Sequence, residues 1–167
     1  MKSRCDRDTP PRHTGGFWAQ TPLSRLSRTQ WEALCDRCGR CCLEKLADPK
    51  TGKIYYTSVA CRLFDPLRCE CRQYAQRTRL VKSCLTLTPD GVRALRWLPR
   101  TCAYRLLTEG QPLPWWHPLV SGDAATVHTA GISLRSRRFQ LTPQAGARLE
   151  DYIVDWGIWG RRACGSR

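Results

Sequence analysis

The sequence has no run approaching the roughly 18 apolar residues of a membrane-spanning helix, so none is expected. Met1 to Gly16 is charged and proline-rich and lacks the apolar stretch of a signal peptide, and it reads as a disordered leader. Internal repeats are absent. So are a Ser/His/Asp arrangement, a phosphate-cradling glycine loop and paired carboxylates with a pocket, which sets hydrolase and kinase chemistry aside. Acidic residues are scarce: 14 Asp+Glu against 28 Lys+Arg leave a net charge of +14. Such a surface attracts anions, yet the basic residues are spread out, with short clusters only at Arg135, Arg137, Arg138 and at Arg161, Arg162. Nucleic acid is therefore a weakly supported partner, and a solvated basic face explains the charge more simply.

Cysteine is what the chain has in quantity. Its 167 residues can bury a core without cross-links, so 11 cysteines, an odd number, need another reason. Without a secretory signal the expected compartment is the reducing cytoplasm, where clustered thiols remain available as thiolate ligands. Cys35, Cys38, Cys41 and Cys42 fall within eight residues. Steps of three bring the first three to one side of a tight turn, and Gly39 lets the backbone fold back. Side chains of adjacent residues diverge, so Cys41 and Cys42 are expected to serve two metals, or one of them to be a spare or bridging ligand. A disulfide knot or unligated core cysteines are the structural alternative to metal coordination.

The remaining pattern predicts a small, cysteine-rich, single α+β domain, with short helices and a small hairpin around the cysteine cluster. Ser27 to Gln30 matches a capping box opening a helix whose inner face holds Trp31, Leu34 and Cys35. Leu43–Leu46 and Ile54–Val59 flank the turn sequence Asp48-Pro49-Lys50-Thr51-Gly52 and predict a hairpin. Cys61, Cys69 and Cys71 then cross a loop at Asp65-Pro66. Arg72–Leu80 suits a basic helix anchored by Tyr74, Val81–Leu87 with Cys84 a short strand, and Thr88-Pro89 the start of a helix through Leu95. Cys102 sits in the first turn of a helix reaching Thr108, where the dipole stabilises a thiolate. Trp115, Trp116 and Leu119 are expected to pin a proline-rich loop containing His117, which reads more simply as a hydrogen-bonded structural histidine than as a metal or proton-transfer group. A small helix follows from Asp123 to Thr129 with His128 on its exposed side, then a strand at Ile132–Leu134. A C-terminal helix starting at Thr142-Pro143, in the segment 140–157, presents Ala145, Leu149, Tyr152 or Ile153, and Trp156 to the body, before a flexible tail at 158–167. Cys5, His13 and Cys164 lie in segments with little to bury.

With these residues in place, the chain resembles the YcgN-like bacterial cysteine-cluster proteins, part of the wider group with a zinc- or iron-chelating CxxCxxCC domain. The resemblance rests on CDRCGRCCLEKL (35–46), IYYTSVACR (54–62), CECRQY (69–74), WLPRTCAYRLL (97–107) and LPWWHPL (113–119), covering roughly residues 17–139. It implies as metal ligands Cys35, Cys38, Cys41, Cys42, Cys61, Cys69, Cys71, Cys84 and Cys102, and leaves out Cys5 and Cys164. The group has no assigned function, so the resemblance implies a chelating domain without a substrate. Nine thiols do not divide into fours. Zinc and an iron–sulfur cluster both use four thiolates, and the Cys-x2-Cys-x2-Cys spacing suits either, although the Cys-Pro expected of a ferredoxin pattern is missing. The leading function is a metal chelator whose site is structural or serves metal or redox handling. The alternatives are an iron–sulfur enzyme or electron carrier, and a basic nucleic-acid-binding module.

Overall fold

The computed structural model describes residues 16–141 and 145–155; Cys5, His13, Thr142, Pro143, Trp156, Cys164 and the tail lie outside them. The described chain is mixed α and β, with short helices and two small antiparallel sheets. After α1 (Phe17–Gln20), α2 (Arg28–Ala33) starts where the sequence signals it. The Ser27 hydroxyl accepts from the Gln30 N–H and the Gln30 side chain accepts from the Ser27 N–H, satisfying two donors that a helix start leaves free.

Strands β1 (Leu43–Ala47) and β2 (Ile54–Ala60) pair antiparallel, with a bulge between Leu43 and Lys45. Their turn is built as its residues predict. Asp48 accepts from the N–H groups of Lys50 and Thr51, and Gly52 takes the left-handed conformation at φ 67°. The stretch expected to be a plain loop holds a second, minimal hairpin, β3 (Phe64–Asp65) with β4 (Glu70–Cys71). Asp65 is the cause: its carboxylate accepts from the Leu67 and Arg68 N–H groups and closes the turn.

Helix α3 (Arg77–Leu80) follows a 3-10 turn at Tyr74–Gln76. Tyr74 is not buried as expected; it is 48% exposed, bonded to Glu32 and covered by Arg77. No strand forms over Val81–Leu87, and the helix expected after Pro89 shrinks to a 3-10 turn at Val92–Ala94. Helix α4 (Ala103–Thr108) has Cys102 at its N-cap, and α5 (Pro118–Ser121) has His117 there. Trp116 is buried, whereas Trp115 is exposed. In α6 (Thr126–Thr129) His128 is half-buried, its Nδ1 2.7 Å from the Ser133 hydroxyl, and a 3-10 turn at Leu134–Ser136 replaces the expected strand. Over 145–155 the chain forms a 3-10 turn at Leu149–Tyr152 and then a bridge from Ile153 to Thr57. Gly146 at φ 80° is incompatible with the helix expected there.

Three buried clusters result. Trp31, Leu34, Val92, Leu98, Tyr104 and Leu113 form one; Leu43, Tyr56, Phe64, Cys69 and Leu134 form another; Cys38, Trp116 and Val127 form the third. Residues 34–43 contribute to all three, so the cysteine turn sits where they meet. Gly39 is decisive in that turn. It has φ 79°, and a Cβ there would stand 2.5 Å from the Phe64 ring. Gly39→Ala combines left-handed strain with overpacking and should cost about 2–4 kcal/mol, read as a lowered denaturation midpoint of the metal-loaded protein; an unchanged midpoint would mean that the turn is not held as described.

Candidate metal centre

The turn presents its thiols by abrupt changes of backbone direction. Arg37 at φ 56° and Gly39 break the chain out of helix before a 3-10 turn at Arg40–Cys42. Two long-range bonds pin it: the Cys38 carbonyl accepts from the Leu134 N–H at 2.8 Å, and the Cys42 carbonyl from the Cys61 N–H at 2.8 Å. Arg40, itself buried, donates from Nε to the Ile132 carbonyl. The nine described cysteines are all free thiols.

Their electrostatic neighbours divide the nine into groups. Lost hydration is the largest cause pushing the Cys35 and Cys38 thiols up, and the charges adding to it are Asp36, Cys41 and Cys102 for both. Cys35 is open to solvent on one side, but dense protein on the other removes most of its water. Cys102 is pushed up to about 12, again chiefly by burial, with Asp36 and Cys41 as charged neighbours. The first-turn N–H groups of Arg105 and Tyr104 do favour its thiolate, as its helix position predicts, but desolvation outweighs them.

Cys42, Cys61, Cys71 and Cys84 are linked in the same way. Besides its bond to Cys41 and its burial, the Cys42 thiol is pushed up by Cys41 and Cys61; Cys84 is raised by burial first, then by Cys61, Cys71 and Cys41. Cys41 stands between the two groups. Cys41 and Cys42, adjacent on the 3-10 turn, act strongly on each other's protons. The neighbouring Cys42 thiol, helped by Lys45, brings Cys41 down to about 7. Lys45, missed in the sequence, reaches back across the bulge to donate to the Cys41 carbonyl at 2.8 Å and lies over the Tyr56 and Trp97 rings.

Cys69 stands apart. It is 2% exposed at φ 55°, in the cluster with Phe64 and Leu134, and its neighbours are Ser133 and Arg135 rather than other thiols. His117 is fully buried with both ring nitrogens in use: the Leu119 N–H donates to Nδ1 at 3.2 Å, and Nε2 lies 3.1 Å from the Leu34 carbonyl. An amide can only donate and a carbonyl only accept, so the ring is the neutral Nε2–H tautomer. Burial lowers its pKa, in agreement. The ring clamps the proline-rich loop to the last residue before the cysteine turn.

Asp36 is the second residue that sequence reasoning missed; its only signal was its place between two motif cysteines. Its Oδ1 accepts from the Cys38 N–H at 3.0 Å. Cys35 and Asp36 also line a surface cleft of about 490 Å³, together with Arg37, Arg68, Glu70 and Arg135. Arg37 and Arg68 both pair with Glu70, and Arg135 donates to the Leu67 carbonyl, so these basic groups tie loops together around the turn. Among the described residues, no three His, Cys, Asp or Glu side chains already close around a point that could hold a metal ion, and no helix is long and apolar enough to cross a membrane.

The raised thiols set a pH dependence for the metal-free protein. Unfolded cysteines release protons near pH 9.0, whereas burial holds those of Cys35, Cys38 and Cys102 to higher pH. The folded form therefore binds more protons in that window. Metal-free protein should lose stability steadily as pH rises above about 9, while metal-loaded protein, whose thiolates are already charged, should not; parallel denaturation curves from pH 8 to 10.5 check this.

A family model described as a "putative zinc- or iron-chelating domain", with the signature CxxCxxCC, matches residues 34–103, the span that holds all nine described cysteines. A UPF0260 protein of Nitrobacter hamburgensis is 50% identical over 159 residues, 95% of this chain and 92% of the relative. One from Cellvibrio japonicus is 54% identical over 140 residues, 84% of this chain and 95% of the relative, and one from Mesorhizobium japonicum is 58% identical over 121 residues. No solved structure matches. Identity of this degree over nearly the full length of both chains places the protein in the UPF0260 family.

Proposed function

We propose that this protein is a thiolate metal chelator with two four-cysteine sites, Cys35, Cys38, Cys41 and Cys102 forming one and Cys42, Cys61, Cys71 and Cys84 the other. What supports the reading is that thiols from distant parts of the chain lie near one another in two sets, Cys35, Cys38 and Cys102 around Cys41, and Cys42 and Cys84 around Cys61, with Cys71 beside Cys84 and Cys41 adjoining both sets. Cys69 is the odd one, a core residue, which removes the arithmetic difficulty of nine ligands. The donor chemistry fits the group: four thiolates suit tetrahedral zinc or an iron–sulfur cluster, and zinc or iron is the cargo named for the matching domain. When bound, such a metal supplies a fixed positive centre that replaces the thiol protons and cross-links the segments. Ligation requires side-chain movements that draw each group together, since no three of these side chains among the described residues already close around a point. A reducing cytoplasm would keep the thiols competent.

The test is metal content per chain in protein prepared without oxygen, compared across variants. Cys35→Ser and Cys61→Ser should each lose the metal of one site only. Cys69→Ser, and Cys5 and Cys164 replaced together, should lose none. Unchanged content in both Cys35→Ser and Cys61→Ser would contradict the two-site reading.

A further inference from the structure

Asp36 is the only buried acidic residue among those described, at 6% exposure. Its Oδ1 is held by the Cys38 N–H, but its Oδ2 is buried with no hydrogen-bond partner. A desolvated carboxylate oxygen without a partner costs several kcal/mol unless a cation or donor meets it. The nearby basic side chains, His117 and Arg40, do not fill that role. Both ring nitrogens of His117 are taken by backbone groups, and no ion pair joins Asp36 to Arg40, whose own Nη1 is also without a partner. The carboxylate does lie among thiols: its charge acts on Cys35, Cys38, Cys41 and Cys102, all four members of the first proposed site. A cation gathered by those thiolates would sit in the field of Asp36 and be the partner that Oδ2 lacks.

We infer that Asp36, through Oδ2, is a fifth donor, an oxygen, to the metal of the Cys35, Cys38, Cys41, Cys102 site, making it a five-coordinate sulfur–oxygen centre beside a four-thiolate one. The inference rests on the two-site reading above and deepens it. The two sites then differ in kind. A carboxylate is a harder donor than a thiolate, so the mixed site suits a borderline divalent cation, zinc or ferrous iron, and disfavours the soft cuprous ion. Cys35 and Asp36 line the cleft shared with Arg37 and Glu70, which gives this site a route for exchange with solvent.

Cadmium-113, a spectroscopic stand-in for zinc, tests this on the full-length wild-type chain, because its chemical shift moves upfield as oxygen enters a sulfur shell. Two resonances are expected, one in the all-thiolate range and one upfield of it. In Asp36→Asn the upfield resonance should move, and competition with a chromophoric chelator should show one of the two equivalents bound at least tenfold more weakly, the other unchanged. Two all-thiolate resonances in the wild type would overturn the inference while leaving the two-site reading intact. The same holds if Asp36→Asn loses stability but keeps both resonances and both affinities, since the carboxylate would then serve only to hold the Cys38 N–H in the turn. A wild-type chain that binds no cadmium would overturn both.

Discussion

Stripping all metal with a strong chelator is expected to unfold the region where the three buried clusters meet, and Cys38→Ser to do the same without a chelator. The reason lies in what the cysteine turn asks of the chain. Arg37 is held in the left-handed region, the buried Asp36 and Arg40 each keep a polar atom without a partner, and burial holds Cys35, Cys38 and Cys102 as thiols among one another. Such an arrangement does not repay its own cost. Structural thiolate sites contribute on the order of 10 kcal/mol of apparent binding free energy at neutral pH, comparable to the whole stability of a domain. Cys38 is the sharpest probe because it is 7% exposed, packs with Trp116 and Val127, and passes its carbonyl to Leu134. Calorimetry or circular dichroism of loaded, stripped and reloaded protein measures the effect. A cooperative transition at the same temperature after complete metal removal would sink the claim.

His117→Ala should give the second largest effect while leaving the metal in place. The substitution removes a fully buried ring, opens a cavity and strands the Leu34 carbonyl, for which about 3–5 kcal/mol is the expected loss. It also releases the N-cap of α5, since the Leu119 N–H loses its acceptor. With the proline-rich loop no longer clamped to Leu34, the thiols of the first site should react faster with an alkylating reagent, at unchanged metal content. Loss of one metal equivalent would instead make His117 a ligand and contradict the role that its two hydrogen bonds give it.

Local chemistry made part of this structure legible in advance. The capping box at Ser27 and the Asp48 to Gly52 turn are short-range devices that depend on neighbouring residues only, and both form where expected. The cysteine positions point to chelation by density alone. Decisions made by distant contacts were not legible. Tyr74 and Trp115 have the composition of anchors, yet the surfaces they would have filled are taken by Trp31, Tyr104 and Trp116. The expected C-terminal helix gives way, over 145–155, to a turn because Ile153 finds a bridge to Thr57 in β2, a contact that no local periodicity encodes. Cys69 has the spacing of a partner to Cys71, but the β3–β4 hairpin turns it into the core with Phe64 and Leu134, a placement that spacing does not encode.

The central claim is that two thiol groups each hold metal, and elemental analysis joined to an absorption spectrum, on protein purified without oxygen, tests it most directly. Zinc at two equivalents per chain with no visible absorption, or iron with matching inorganic sulfide and a visible spectrum bleached by reductant, is the result the account predicts, with half of the metal lost in Cys61→Ser and none in Cys69→Ser. Protein that is folded, fully reduced at its thiols and free of both metals, and that takes up neither when they are supplied, would contradict it.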